Sequence, residues 1–539
     1  MRHSIIDPDY LWHVYQSWIC TFSLKNKKAI FNRVHYKLTF FVGLSLFLLY
    51  PRETALQYGS GAYIRNLLTN EYDSLQPILT VGDAVPRLSG TFGNYTPTTA
   101  QYAMSGVPDG LGVYHKPSGG YYVYLNHENA SGQVTLYRRG GTSKVNGARV
   151  SLFEFDENWQ PIGGKNLIER LKVYGLTWTH NPISGTYQLA GQSDRTLSRF
   201  CSGSLADYGF YDLAGAPAPI WFAPEEKGDG RGWAVYPDGT AFALAGLGRY
   251  SKEQVLSAEQ YRGVNNSQTV LLVTEDNGDG ELYLYLGAQT PTDPNGFESG
   301  QLYVLRVENA VGSGFDNETM PINSTQVARW VAVANTVDLN NASALSAWVN
   351  QTGNSTNFRR IEDIGEDPSQ LGTFYFVTTG TSDGDNLYGK MYRLQLNASN
   401  PLANGEITLV LEGGTTTGVS YDNLTVDLAG NVWIQENATA GGSNVLNSQQ
   451  RYARVLRWEI ATSNLTHQWE INLPAIDPAS QNNYISWETS GIVPLPSSDS
   501  AYLMTVQAHT ISDADFLEGG QLILVRRLQN QHFFPLIMR

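Results

Sequence analysis

The chain has 539 residues, a formal net charge of −14 and only 16 % charged side chains. Residues 38–539 carry 30 Lys/Arg against 48 Asp/Glu, which argues against nucleic-acid binding through a basic face and leaves solubility, or the holding of hard cations, as the use of the acids. With 53 Gly, 31 Tyr and 12 Trp and few long helical patterns, the composition predicts short strands joined by tight turns, and one all-β unit can absorb such a length.

In chain order, the first feature is the apolar block Leu38 to Tyr50 (LTFFVGLSLFLLY), preceded by Lys25, Lys27, Lys28, Arg33 and Lys37. A helix of that length spans roughly 20 Å, short of a hydrocarbon core of roughly 30 Å. The expectation is an N-terminal extension over 1–52 holding a secretory signal, with an uncleaved membrane anchor as the alternative. Val34 as an alternative initiator would give a signal of ordinary length, and no twin-arginine pair precedes the block. The expected location is secreted, periplasmic or at the cell surface. Cys20 lies in this extension, so Cys201 is the only cysteine of the mature chain and no intramolecular disulfide is expected.

Residues 53–90 are predicted to pack on the main body, with a short helix near Tyr63 to Thr69, and Gly90 to Thr99 reads as a loop. The region 91–530 is β-rich and shows one recurring event: a short apolar strand, a polar or acidic residue at its end, then a turn. Thus GYYVYL leads into Asn126-His127-Glu128, the run Pro219 to Pro224 into Glu225-Glu226, and VLLVT into Glu275-Asp276. Leu424 to Gln435 forms a hairpin ending at Glu436, Tyr484 to Trp487 ends at Glu488, and Leu503 to Gln507 ends at His509. A β-propeller collects such endings around one channel mouth, which predicts an all-β propeller of five or six blades with inserted loops or arms. Glu298 to Gln370 is the candidate insertion zone, with strands around Leu302 to Val307 and Val327 to Val333.

Converging carboxylates need protons or cations between them, because a pair about 4 Å apart repels by about 4 kcal/mol at an effective dielectric near 20. Carboxylates and Asn carbonyls suit calcium, whereas a thiolate adds affinity for iron or zinc. Each motif alone has a plainer reading. Glu275 to Gly280 (EDNGDG) starts like an EF-hand loop, but its twelfth position is Leu286 and Asp279-Gly280 reads better as a hairpin turn. Asp422-Asn423 fits an Asx turn, and Glu225-Glu226 a solvated pair. No Walker loop or dinucleotide fingerprint is present.

Taken together and in order, the segments VPDGLGVY (Val107 to Tyr114), LNHE (Leu125 to Glu128), FCSGSL (Phe200 to Leu205), PEE (Pro224 to Glu226), VTEDNGDGELYLYLG (Val273 to Gly287), YDNLTVDLAGNVWIQEN (Tyr421 to Asn437), WETSGI (Trp487 to Ile492) and EGGQLILV (Glu518 to Val525) resemble the PhoX family of secreted bacterial alkaline phosphatases, in a divergent branch. The resemblance implies a propeller with iron and calcium at one end of its channel. It also implies hydrolysis of phosphomonoesters by metal-activated oxygen, without a protein nucleophile. Carried over by position, it implies Cys201 as an iron ligand with Glu225 or Glu226 beside it. Glu275 and Asp276 would be further metal-site acids, with Glu275 also catalytic. Asp422 and Asn423 would be an acid/amide pair, and Glu128, Glu436 and Glu488 further ligands. Arg231 would contact substrate phosphate or pair with Glu226. The implied partner is a phosphate ester, with membrane contact only through an uncleaved N-terminal anchor. Two alternatives stand beside it: a non-catalytic, calcium-stabilised binding propeller, and a related phosphodiesterase or phytase-like hydrolase. Cys201 separates the first from the enzyme readings, since structural calcium has no use for a thiolate.

Overall fold

The computed structural model describes residues 61–527, apart from 69–72, 263–266, 383, 440, 497 and 499; the signal segment expected over 1–52 lies outside them. Among the described residues, no helix is long and apolar enough to cross a membrane.

The described residues fold into a β-propeller of six blades. Their inner strands are Pro108–His115, Ser204–Ala206, Lys252–Ser257, Ile361–Glu366, Tyr421–Val426 and Trp487–Pro494, which we number as blades 1 to 6. Each inner strand packs beside the next, and the sixth beside the first, closing the ring around a channel. Blades stack face to face, so strands inside them are buried on both sides and read as continuous apolar runs rather than as alternating ones. Ile220–Pro224, Thr373–Thr378 and Asn431–Glu436 are buried along their whole lengths for this reason.

The N-terminal segment supplies edge strands to the ring. Ile64–Asn66 pairs with Asn464–Ile471 at the rim of blade 5, and Ser74–Thr80 pairs with Leu517–Arg526 at the rim of blade 6. Ala84–Thr91 runs parallel to Pro161–Asn166 in blade 1 and forms a hairpin with Asn94–Ala103. The helix expected near Tyr63 and the loop expected over Gly90 to Thr99 are therefore strands. Local signals there are weak, and the open blade edges offer the backbone hydrogen-bond partners that decide the outcome. The expected insertion zone contributes the strands Gln301–Glu308 and Thr325–Ala332 and the helix Ala342–Val349. Thr325–Ala332 pairs with both Gln301–Glu308 and Gly405–Glu412, joining blades 3 and 4 in one sheet.

Blades 5 and 6 are locked by a buried aromatic and carboxylate network. Trp433 stacks on Trp469 with centroids 4.8 Å apart and an interplanar angle of 6°. Asp427 accepts hydrogen bonds from Trp433 Nε1 at 2.8 Å and from the Tyr502 hydroxyl at 2.7 Å. Trp433→Ala removes a fully buried indole and leaves Asp427 short of a donor; the expected loss is about 3–5 kcal/mol, read by denaturant unfolding.

Candidate metal centre

The register of each blade's first two strands builds the site. Pro108, Lys252, Ile361, Tyr421 and Trp487 open five inner strands and pair with His127, Glu275, Thr378, Glu436 and Ala508. In blade 2 the equivalent bridge is Phe200 to Glu225. One residue further along the inner strand stand Asp109, Cys201, Glu253, Glu362, Asp422 and Glu488, one from every blade. One residue past the partner stand Glu128, Glu226, Asp276, Thr379, Asn437 and His509. Strand side chains alternate between faces, so all residues at equivalent positions turn the same way. Apart from Thr379, every member of both sets lines one cavity of about 360 Å³ at the channel mouth. Thr379 stands behind, its hydroxyl donating to Glu362.

Backbone strain marks the entry to these strands. Val107, Arg199, Arg360 and Ser420 lie two residues before Asp109, Cys201, Glu362 and Asp422, with φ of 50°, 48°, 61° and 47°. Left-handed geometry is costly for residues other than glycine, most of all for β-branched Val107, and such strain concentrates at functional sites. Close packing adds a second constraint at Gly110, where a Cβ would stand 2.8 Å from the Cys201 carbonyl oxygen and 2.3 Å from the Gly203 nitrogen. That carbonyl accepts Gly110 N–H at 3.3 Å and Asn126 Nδ2–H at 2.9 Å, which holds the cysteine backbone against blade 1. Gly110→Ala is expected to displace Cys201 and lower bound metal per chain, measured by elemental analysis.

Nine carboxylates line the cavity, against two arginines and one histidine. Ligand atoms fall into three linked groups, each within 4.8 Å: Asp109, Glu128 and Cys201; Cys201, Glu226 and Glu253; Glu253, Asp276 and Glu362. The Cys201 thiol lies 3.3 Å from Asp109 Oδ2. Asp109 Oδ1 and Glu253 Oε2 are buried without a hydrogen-bond partner. Burial first, then neighbouring negative charge, pushes the carboxyls of Asp109, Glu253, Glu362 and Asp422 well above the usual carboxylate range. Glu128 and Glu226 are pushed up to about 8, again by burial first. Burial and the same acids also raise the Cys201 thiol. A site of hard oxygens plus one sulfur, with two oxygens left bare, fits cations: they replace the missing protons and satisfy the orphaned atoms.

Three cationic side chains stand among these acids. Arg199 spans Glu128, at 2.7 Å, and Glu226. Arg360 holds Asp276 through two hydrogen bonds of 2.8 and 2.9 Å and reaches Glu362 at 3.1 Å. His509 Nδ1 meets Glu518 at 2.9 Å, and Nε2 faces Glu488 at 3.8 Å. Burial pushes His509 down, but the hydrogen bonds and charges of Glu488 and Glu518 outweigh it and raise the group to about 11. Below the cavity, Asn423 Nδ2 donates to Ser202 Oγ at 2.8 Å, linking blades 5 and 2 across the channel as a floor.

Of the residues predicted from sequence, Glu128, Cys201, Glu226, Asp276, Asp422 and Glu488 meet in the cavity, while Asn423 sits in its floor. The other four do not converge with them. Glu225 accepts from Ser198 N, Arg231 N and Trp233 Nε1 behind the wall. Glu275 accepts from Tyr283 at 3.0 Å and lines a different pocket with Glu281. Glu436 is bound bidentately by Arg451 at 2.6 and 2.9 Å. Arg231 neither enters the cavity nor pairs with Glu226, whose partner is Arg199. Alternation is the physical reason for the three glutamates: they occupy the strand position one residue short of the inward-facing one. Sequence reading missed Asp109, Glu253 and Glu362 because it searched strand ends. The signal was an acid as the second residue of the inner strands that open PDG, KEQ, IED, YDN and WET.

Residues 234–473 match the family model described as alkaline phosphatase PhoX. Among solved structures, Pseudomonas fluorescens PhoX in complex with vanadate, a transition state analogue, is similar over 87 % of this chain and 97 % of its own, with 14 % identity and a TM-score of 0.59. Residues 234–473 thus resemble the PhoX family, and the chain shares the fold of its solved member. A glucose dehydrogenase (11 % identity, 60 % of this chain and 98 % of that one, TM-score 0.25) and the WD40 domain of SCAP from fission yeast (8 %, 84 % and 98 %, TM-score 0.27) also align. No curated protein sequence matched. The PhoX match includes Glu253, Asp276, Arg360, Glu362 and Asp422, whereas Asp109, Glu128, Cys201 and Glu226 precede it.

Proposed function

We propose that this protein is a metal-dependent phosphatase acting on phosphomonoesters at the mouth of the propeller channel. The observation that carries the reading is the placement of Cys201 in two linked groups of carboxylates, beside the bare oxygens of Asp109 and Glu253. Asp109, Glu128, Cys201, Glu226, Glu253, Asp276 and Glu362 would hold the ions, which we take to be iron near the sulfur and calcium among the oxygens. When bound, such ions supply Lewis-acid stabilisation of the charge that builds on a transferring phosphoryl group.

The protein's own groups would bind and orient the ester. Arg199 and Arg360 present guanidinium edges to the cavity, and each is fixed by two carboxylates, so substrate oxygens meet donors already in place. His509, held protonated by Glu488 and Glu518, adds a third positive group to the cavity lining. The floor formed by Asn423 and Ser202 confines substrate to the outer half of the channel. Export is part of the proposal, supported by the basic-then-apolar segment ending at Tyr50.

The test is metal analysis of purified protein together with p-nitrophenyl phosphate turnover in the wild type and Cys201→Ala. Bound iron and turnover in the wild type, with both reduced at least about tenfold in the variant, are expected. Absent iron and no turnover with calcium supplied would favour the non-catalytic propeller, and turnover of diesters alone would favour a phosphodiesterase.

A further inference from the structure

A second pocket, of about 370 Å³, lies outside the metal centre on the side of blade 2. The two are back to back: Glu226 lines the metal cavity and Glu225, one residue earlier, lines this pocket. Arg195, Arg231, Arg249 and Lys227 converge on it, which is unusual in a chain of formal net charge −14.

The acids of the pocket are already engaged. Asp229 holds Arg249 at 2.6 Å and Lys227 at 3.3 Å, and Asp194 accepts from Thr186 and Gln188. Glu225 takes three N–H donors from Ser198, Arg231 and Trp233. Two guanidinium groups are left over. The Arg231 side chain makes no ion pair or hydrogen bond with any described residue. Arg195 lies over the Trp178 ring at 4.1 Å, and its Nε is buried without a partner. Stacking fixes the plane of that guanidinium where it lines the pocket beside Arg231, an arrangement suited to a tetrahedral oxyanion. Burial, and then the charges of Arg231 and Arg249, lower the Arg195 pKa, so the cations repel one another until an anion joins them.

We propose that Arg195 and Arg231 form an oxyanion-binding site for a phosphate-sized anion, separate from the metal centre. The anion is either free inorganic phosphate or the second phosphoryl group of a substrate whose first lies in the metal cavity. The site does not depend on the phosphatase reading.

Crystals of the full chain soaked in selenate would locate the anion by anomalous scattering, and calorimetry with inorganic phosphate would be run on wild type, Arg195→Gln and Arg231→Gln. Selenate between Arg195 and Arg231, with phosphate affinity reduced about tenfold in each variant, is the expected result. Selenate confined to the metal cavity, or unchanged affinity in the double variant, would overturn it. A kinetic arm identifies the source. Arg195→Gln raising KM for a sugar bisphosphate but not for p-nitrophenyl phosphate assigns the site to substrate, while unchanged KM for both assigns it to free phosphate. Loss of all turnover in the wild type would count against the phosphatase reading and leave the selenate result standing.

Discussion

Glu253→Gln should lower p-nitrophenyl phosphate turnover by about a thousandfold and release bound metal. Glu253 belongs to two of the three ligand groups, so one substitution weakens both the sulfur-containing group and the oxygen-only group with Asp276 and Glu362. Its Oε1 accepts Ser202 N–H at 3.3 Å, which aims the unpartnered Oε2 at the cavity. Glutamine keeps the volume and removes the charge, so the effect reports electrostatics rather than packing; single charge-stabilising groups in active sites contribute about a hundred- to a thousandfold. Glu225→Gln is the matched control. Glu225 lies behind the wall, and its loss should disturb the turn to Trp233 without changing the metal content. Wild-type turnover in Glu253→Gln, or equal metal loss in both variants, would remove the proposed centre.

Chelator-treated protein should lose stability as pH rises from 6.5 to 9, and calcium should restore it. Glu128 and Glu226 have folded-state values of about 8 against an ordinary 4.5, raised by burial first and by neighbouring acids next. Between those values the folded state binds more protons than the unfolded one. The stabilisation is therefore complete below about 4.5 and lost as pH rises through about 8. Over the window from pH 6.5 to 9 this is on the order of a few kcal/mol for the two groups together. His180 acts in the opposite direction at lower pH: burial holds it at about 4, so its contribution is lost as pH falls from 6.5. Comparing pH 6.5 with pH 9 keeps that effect out. Bound cations favour the ionised carboxylates and invert the trend, so unfolding midpoints with calcium should stay level or rise. A metal-free protein equally stable at both pH values would show that the acids do not share a desolvated cavity.

Much of this was legible in the chain. Apolar runs such as VLLVT and GYYVYL marked strands that stack between blades, and the acids after them led to Glu128, Glu226 and Asp276 in the cavity. Local pattern failed where partners come from far away. Ile64–Asn66 is a strand only because Asn464–Ile471 presents an open edge, some 400 residues along the chain. The arginines were hidden for a related reason. Nothing near Arg199 or Arg360 in sequence marks them, and their roles follow from the left-handed turns that aim them at Glu226 and Asp276.

The sequence by itself determined an all-β, acid-tipped, PhoX-like chain in which Cys201 is the only thiol after the N-terminal segment. Only the tertiary structure decided which of two adjacent polar residues faces the channel: Glu226 over Glu225, Asp276 over Glu275, Asn437 over Glu436. Side chains alternate with each residue along a strand, so that choice depends on the pairing register, and six blades closing a ring carry the same register to one mouth.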